Sequence, residues 1–406
     1  GSLPAPVYPD RVPGNPARRV YRPRHPNLDL AARVEDAEPI RVAVLDTRWE
    51  PATARARAER FRDEANNQQL IETIDWLERD SRPDAQLEGE WHAVGQHHLV
   101  APPPEFGEPA PYPMPDHGLF VSGLIHGIAP RARLSYAPIL DEKGIGDFSL
   151  LLAGLQQVLA NKRPEEPQIV NLSLGFLPHP ARLIAAWFGL RRDHDPRFLY
   201  APDLYDSAHD QRWVSTHRSD VDETVRLLEV GMRELARCLS RNNCLVVSAS
   251  GNDSLVLTET GRVRMEPRLP ARFETVMGVA ATTKDPRVAA PYSNVGDQRE
   301  LGDHVATFGG NVTHELLPEE GVIGNYAGEF PNGKANATGW AAWSGTSFAT
   351  GIVSGIAANL WADARRSKPD IHATEVLADL HARALESGSY VPELHTPSIE
   401  VEGRWD

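Results

Sequence analysis

Short apolar runs alternate with longer amphipathic stretches along most of this chain. Ile40-Arg41-Val42-Ala43-Val44-Leu45 is mostly apolar, the pattern of a strand buried on both faces. Residues 132–137, 168–174 and 244–249 also read as strands. Residues 55–80 place Phe61, Ile71, Ile74 and Leu77 among many charges, which predicts a surface helix. Helices are also expected from His117 onward and over 147–161, 219–240, 347–366 and 371–386. Strands alternating with helices predict βαβ units and a parallel sheet. Residues 99–116 carry seven prolines and predict loop. Residues 178 to about 218 are irregular and rich in His, Asp, Arg and aromatics. Residues 1–38 are rich in Pro and Arg without a period, which predicts an extended or partly disordered surface arm.

Composition narrows the function classes. Hydrophobic residues make up 41% of the 406 and charged residues 24%, values that support a sizeable globular core. No apolar run approaches the ~18 residues of a membrane span, so no membrane segment is expected. The net charge of −14 argues against nucleic acid as a partner and favours neutral or basic substrates. The two cysteines, Cys238 and Cys244, suit a reducing compartment, so the expected location is cytoplasmic. The chain opens Gly1-Ser2 without an initiator Met, which looks like a cleavage scar and leaves an upstream signal or propeptide open.

Four segments carry candidate chemistry, and each has a bland reading. Asp46 ends the first apolar run, where α/β sheets gather catalytic groups, yet a strand-end Asp is often a turn residue. His117 heads a Gly-containing helix and alone would be an ordinary surface histidine. Ser250-Gly251-Asn252-Asp253 is a common turn sequence. It would also aim the Asn252 amide at a developing negative charge. Ser347 opens a helix with Gly351, Gly355 and Ala358 on roughly one face. A serine there is usually an N-cap, but its hydroxyl and N–H would also sit at the positive helix end.

Taken together and in this order, the segments resemble the subtilase family of serine endopeptidases (peptidase S8). The resemblance rests on Val42-Ala43-Val44-Leu45-Asp46-Thr47, His117-Gly118 with Gly127-Ile128-Ala129-Pro130, Asn171-Leu172-Ser173-Leu174-Gly175, Ser250-Gly251-Asn252, and Ser344-Gly345-Thr346-Ser347. Weaker matches are Leu269-Pro270-Ala271 leading to 276–281, and Tyr292-Ser293-Asn294-Val295-Gly296. The order Asp, His, Ser is the subtilisin order. The resemblance implies a three-layer α/β fold with a mostly parallel central sheet and helices on both faces. It implies catalysis by Asp46, His117 and Ser347 with Asn252 in the oxyanion hole. It further implies an extended peptide bound along Ser173, Leu174 and Gly175 and beside Ser250 and Gly251.

The catalytic domain is expected over 39–388, between the arm at 1–38 and a tail at 389–406. Insertions at about 50–115 and 178–218 exceed what the family usually carries and are expected at the rim of the site. There they would restrict the protein or peptide substrate or receive a regulatory protein partner. Three positions depart from the family pattern: Arg48 stands for Gly, Leu119-Phe120 for Thr-His, and Gly351 for Pro. The first two are the support for a second reading, a catalytically weak or inactive scaffold acting as an interaction module. A nucleotide-binding enzyme is disfavoured, because residues 46–51 lack a Gly-rich turn.

No cofactor is expected. His92, His97 and His98 lie in a Pro-rich stretch with no cysteine nearby and are not read as a metal site. Many relatives bind calcium in loops; no acidic loop here has that spacing, so calcium is left unassigned. Asn311 and Asn336 begin glycosylation triplets that also arise by chance.

Overall fold

A computed structural model of the chain describes residues 6–9, 12, 14, 16–80, 114–144, 146, 148–163, 165–176, 208–254, 257–258, 261–262, 264–295, 304–312 and 318–406. In chain order the main elements are β1 (Arg19–Pro23), β2 (Arg41–Thr47), α1 (Pro51–Ala65), α2 (Gln68–Asp80), α3 (His117–Ile128), β3 (Arg133–Leu140), α4 (Phe148–Ala160), β4 (Gln168–Leu172) and α5 (Ala208–Arg241). There follow β5 (Cys244–Ala249), the short pair β6 (Leu257–Thr258) and β7 (Gly261–Arg262), β8 (Val276–Thr282), β9 (Val305–Phe308), β10 (Val322–Asn325) and β11 (Trp340–Trp343). The chain ends with α6 (Thr346–Ser367), α7 (Ala373–Glu386), β12 (Tyr390–Val391), β13 (Thr396–Ile399) and β14 (Val401–Trp405).

The chain divides into two compact units. The larger joins Gly1–Gln86, Pro111–Gly175 and Ala236–Asp406; the smaller joins Leu87–Ala110 and Phe176–Leu235. Of the smaller unit, the described residues are Phe176 and α5 up to Leu235. Most of the expected insertions, the loop at 99–113 and the histidines at 92, 97 and 98 therefore lie outside the described residues.

An eight-stranded sheet in the order β12-β13-β9-β8-β5-β4-β2-β3 forms the centre of the larger unit. Its neighbours pair in parallel except β12 on β13. Strand residues point alternately to opposite faces. Val42 and Val44 join one core with Leu124 and Ile125 of α3 and Phe348 and Ile352 of α6. Leu45 and Ile139 turn the other way, onto Gly154 of α4. Both faces are thus covered, which is why these strands read as continuous apolar runs rather than alternating ones. Helix α6 is buried without a break from Thr346 to Ala362. Gly355 of its small stripe lies against Ile128 of α3.

Three expectations are corrected. Residues 51–80 form two helices that turn at Asn66, whose φ is 56°. They are not surface decoration: Phe61, Leu70, Ile74 and Leu77 are fully buried in the core shared with α3. The charges lie on the opposite side of each apolar stripe. The arm is folded in: Val7 bridges Ala342, and β1 pairs antiparallel with β14 from Arg19↔Trp405 to Pro23↔Val401. The tail at 389–406 likewise supplies β12, β13 and β14, and β13 extends the central sheet beside β9. These pairings join the two ends of the chain, and no local pattern encodes them.

Candidate active site

The carboxyl ends of β2, β4 and β5 and the amino ends of α3 and α6 carry the candidate residues. Asp46 is fully buried, and its Oδ1 accepts from the Thr47 N–H at 2.7 Å and from His117 Nδ1 at 2.7 Å. A carboxylate can only accept, so Nδ1 carries the proton and Nε2 is left as the basic nitrogen. One carboxylate oxygen thus makes both the turn contact to Thr47 and the contact to His117. The register between β2 and β3 shifts at Asp46 and Thr47, a bulge of the kind that re-aims side chains beside active sites.

Thr47 ties this strand end to α3. Its Oγ1 donates to Pro115 O at 3.0 Å and accepts from the Gly118 N–H at 3.2 Å, which satisfies one orphan donor of the helix. Tyr136 donates its hydroxyl to Thr47 O at 2.6 Å. At Gly118 a Cβ would come within 1.8 Å of that hydroxyl and 2.8 Å of Asp46 Cβ, so the residue after the histidine has to be glycine. The imidazole is buried and meets Trp343 edge-on at 5.5 Å and Phe348 at 5.4 Å, ring centre to ring centre. Tyr136, Trp343 and Phe348 were not singled out from the sequence. Each is a common core residue, and only tertiary contact gives it a place here.

Ser347 is not an N-cap. Gly345 occupies that position, and Ser347 lies inside the first turn of α6. Its Oγ donates to Ser173 O at 3.0 Å, while Ser173 Oγ lies 2.9 Å from Ser347 O and 3.0 Å from Asn171 Oδ1. Asn171 in turn donates to Ser354 Oγ at 2.9 Å. The end of β4 and the start of α6 are therefore fastened to each other, with Leu174 and Gly175 half-buried just beyond.

The Asn252 oxygen accepts from both the N–H and the hydroxyl of Thr346, each at 2.9 Å. Those two donors decide the amide orientation and point the NH₂ group away from Thr346. Asn294 holds the same loop: its N–H donates to Gly251 O at 3.0 Å, its amide donates to Ser250 O at 3.1 Å, and its Oδ1 accepts from the Asp253 N–H at 2.8 Å. Gly251 has φ +111°, and a Cβ there would strike the Asn294 amide at 2.5 Å.

A family model for the subtilase family matches residues 38–382. This chain belongs to the subtilase family. The matching model describes a family of peptidases. The minor extracellular protease Epr of Bacillus subtilis (strain 168) is 25% identical over 218 residues. That match covers 52% of this chain and 24% of the relative, so it spans about a quarter of the relative's length. Among solved structures, a lanthipeptide protease superposes with a TM-score of 0.52 at 19% identity, covering 91% of this chain and 88% of the other. A protease from Pseudoalteromonas arctica gives 0.51 at 19% identity, covering 92% and 91%. At that identity both likenesses speak for the fold.

In this subtilase the departures from the family pattern are accommodated by packing. Leu119 and Phe120 are fully buried, and Phe120 packs on Trp343 at 5.7 Å and on Phe348 at 4.6 Å, extending the aromatic wall behind His117. Arg48 is exposed, and its N–H donates to Leu140 O at 2.8 Å. Neither change interrupts the Asp46–His117 bond.

Asp116 precedes the histidine and is itself buried. Burial pushes its carboxyl up to about 6, opposed by the backbone N–H of Gly328, the charge of Arg57 and the backbone N–H of Ala327. The facing loop is held by Asn336, whose buried amide donates to Tyr326 O and Gly328 O, each at 2.9 Å. Asn336 thus has an interior structural role. A carboxyl whose pKa rises on folding takes up a proton on folding, so its contribution favours the folded state at low pH. That contribution is complete below the unfolded value of 3.8 and is lost as pH rises through about 6. Asp116→Asn is therefore expected to raise stability by about 2–3 kcal/mol at pH 7 and by almost nothing below pH 4. Urea denaturation of both proteins from pH 4 to 8 checks this; equal differences at every pH would contradict it.

Proposed function

We propose that this subtilase is an endopeptidase in which Ser347 is the nucleophile, His117 the general base and acid, and Asp46 the group that orients the imidazole. The observation that carries the reading is the buried 2.7 Å bond from His117 Nδ1 to Asp46, which leaves Nε2 basic at the site. Ser347 Oγ exchanges its bond to Ser173 O for one to Nε2 as it attacks the scissile carbonyl. His117 takes that proton and returns it to the leaving amine, and water then releases the acyl group from Ser347 by the same route.

The tetrahedral oxyanion is received by the Asn252 NH₂ and the Ser347 N–H, the latter in the first turn of α6, where the helix dipole adds to it. Asn252→Ala is expected to lower kcat by ~10²–10³ with little change in KM, a magnitude known from subtilisin, a member of the same family. Steady-state kinetics on one peptide substrate checks it. The peptide lies extended along Ser173, Leu174 and Gly175 and beside Ser250 and Gly251, adding a strand by main-chain hydrogen bonds. Its substrate is a restricted set of proteins or peptides.

The test is intact-mass detection of a fluorophosphonate adduct. One adduct on the wild type and none on Ser347→Ala supports the assignment. Absence of an adduct on folded wild type favours the scaffold reading and overturns this one.

A further inference from the structure

On the peptidase reading above, the residue whose carbonyl is attacked projects its side chain between the two segments along which the peptide lies. These are Ser173–Gly175, fastened to Ser347, and Ser250–Asn252, fastened to Thr346. That cleft is occupied by the chain itself. The stem of Arg268 lies 2.6 Å from where a Cβ on Gly175 would be and 3.1 Å from where one on Gly251 would be. The two glycines therefore face a single arginine stem that spans them.

Arg268 is held at four points, one of them Nη1 donating to Gly175 O at 3.5 Å. Its N–H donates to Ser250 O at 2.8 Å. Its Nε donates to Asp253 Oδ2 at 2.6 Å, and its Nη2 pairs with Asp253 Oδ1. Asp253 is fixed in turn, because its Oδ2 accepts from the Asn294 amide at 3.0 Å and its N–H donates to Asn294 Oδ1. A bidentate arginine–carboxylate pair resists rotation, so the stem cannot swing aside without breaking it. The side chains of Arg268 and Asp253 remain 21% and 15% exposed, which places the pair at the open face of the cleft rather than beneath a closed core.

We infer that Arg268, locked by Asp253, fills the pocket for the substrate residue on the acyl side of the scissile bond and restricts it to Gly, Ala or Ser. The inference rests on the peptidase reading above. The Arg268 charge is met by Asp253, so the filled volume sets the preference. An apolar pocket that loses room for a few methylenes discriminates by roughly 10–200-fold.

The experiment is kcat/KM on fluorogenic peptides that differ only at that residue, for wild type, Arg268→Ala and Arg268→Lys, with fluorophosphonate labelling of each. The wild type is expected to prefer Ala over Leu and Phe by about 10-fold or more. Arg268→Ala is expected to raise the Leu/Ala and Phe/Ala ratios of kcat/KM by about 10–100-fold. Arg268→Lys keeps a stem and a charge that can pair with Asp253 and should retain the small-residue preference. A wild type that prefers Leu or Phe overturns the inference. So does Arg268→Ala that labels normally with an unchanged ratio, or Arg268→Lys that behaves like Arg268→Ala. Absence of any adduct on folded wild type would overturn the peptidase reading and this inference with it.

Discussion

Ser347→Ala is expected to lower kcat by about 10⁶ while KM stays nearly constant, a magnitude taken from subtilisin, a member of the same family. The physical reason is the loss of the attacking oxygen with everything else in place. Ala suits the first turn of α6, and its methyl group fits where the Ser347 side chain is buried. The one bond removed, from Ser347 Oγ to Ser173 O, is worth about 0.5–1.5 kcal/mol, too little to unfold the protein. Thr346 still holds the Asn252 oxygen by two hydrogen bonds, so the oxyanion donors stay oriented. A residual rate of about 10³–10⁴ over water is therefore expected from binding and the oxyanion hole alone. Single-turnover kinetics at saturating peptide, with a thermal melt as control, reads both quantities. A fall of less than about 100-fold would assign the nucleophile elsewhere.

Asp46→Asn is expected to lower kcat by about 10⁴ at neutral pH, the magnitude of the equivalent change in an unrelated serine protease. Asp46 Oδ1 is shared between His117 Nδ1–H and the Thr47 N–H, and its Oδ2 is buried with no hydrogen-bond partner among the described residues. An amide there keeps one acceptor and gains two donors. Its oxygen, in the Oδ1 place, still accepts from both the Thr47 N–H and Nδ1–H, so the imidazole keeps its tautomer and the NH₂ takes the buried Oδ2 place, where no described residue accepts from it. On the proposed mechanism, what the substitution removes is the negative charge that stabilises the imidazolium formed in the transition state. That loss does not require the backbone to move, since Thr47, Tyr136 and Gly118 hold the strand end and the helix start independently. The expected signature is a large fall in kcat, unchanged folding and a partial return of rate at high pH, where hydroxide assists. A loss of secondary structure in circular dichroism would instead make Asp46 chiefly a structural residue.

The strands β2, β4 and β5 and the helices α3, α4, α6 and α7 were legible because burial on both faces or on one stripe writes a period into the chain. Asp46, His117, Asn252 and Ser347 were each ambiguous alone and were picked out by the resemblance of their segments, taken in order, to the subtilase family. Each stands at the end of such a run, beside small residues that close packing demands, as Gly118 and Gly251 show. The chain's own residues thus determined the sheet class, the order of the candidate groups and their places at strand and helix ends. Tertiary structure alone decided the rest. It drew 51–80 into the core, joined the two chain ends through β1 and β14, and set Trp343, Phe348 and Tyr136 around the imidazole. It also placed Arg268 across the two glycine-bearing segments. These contacts connect residues tens to hundreds of positions apart, and a local period records which face is buried but not what is buried against it.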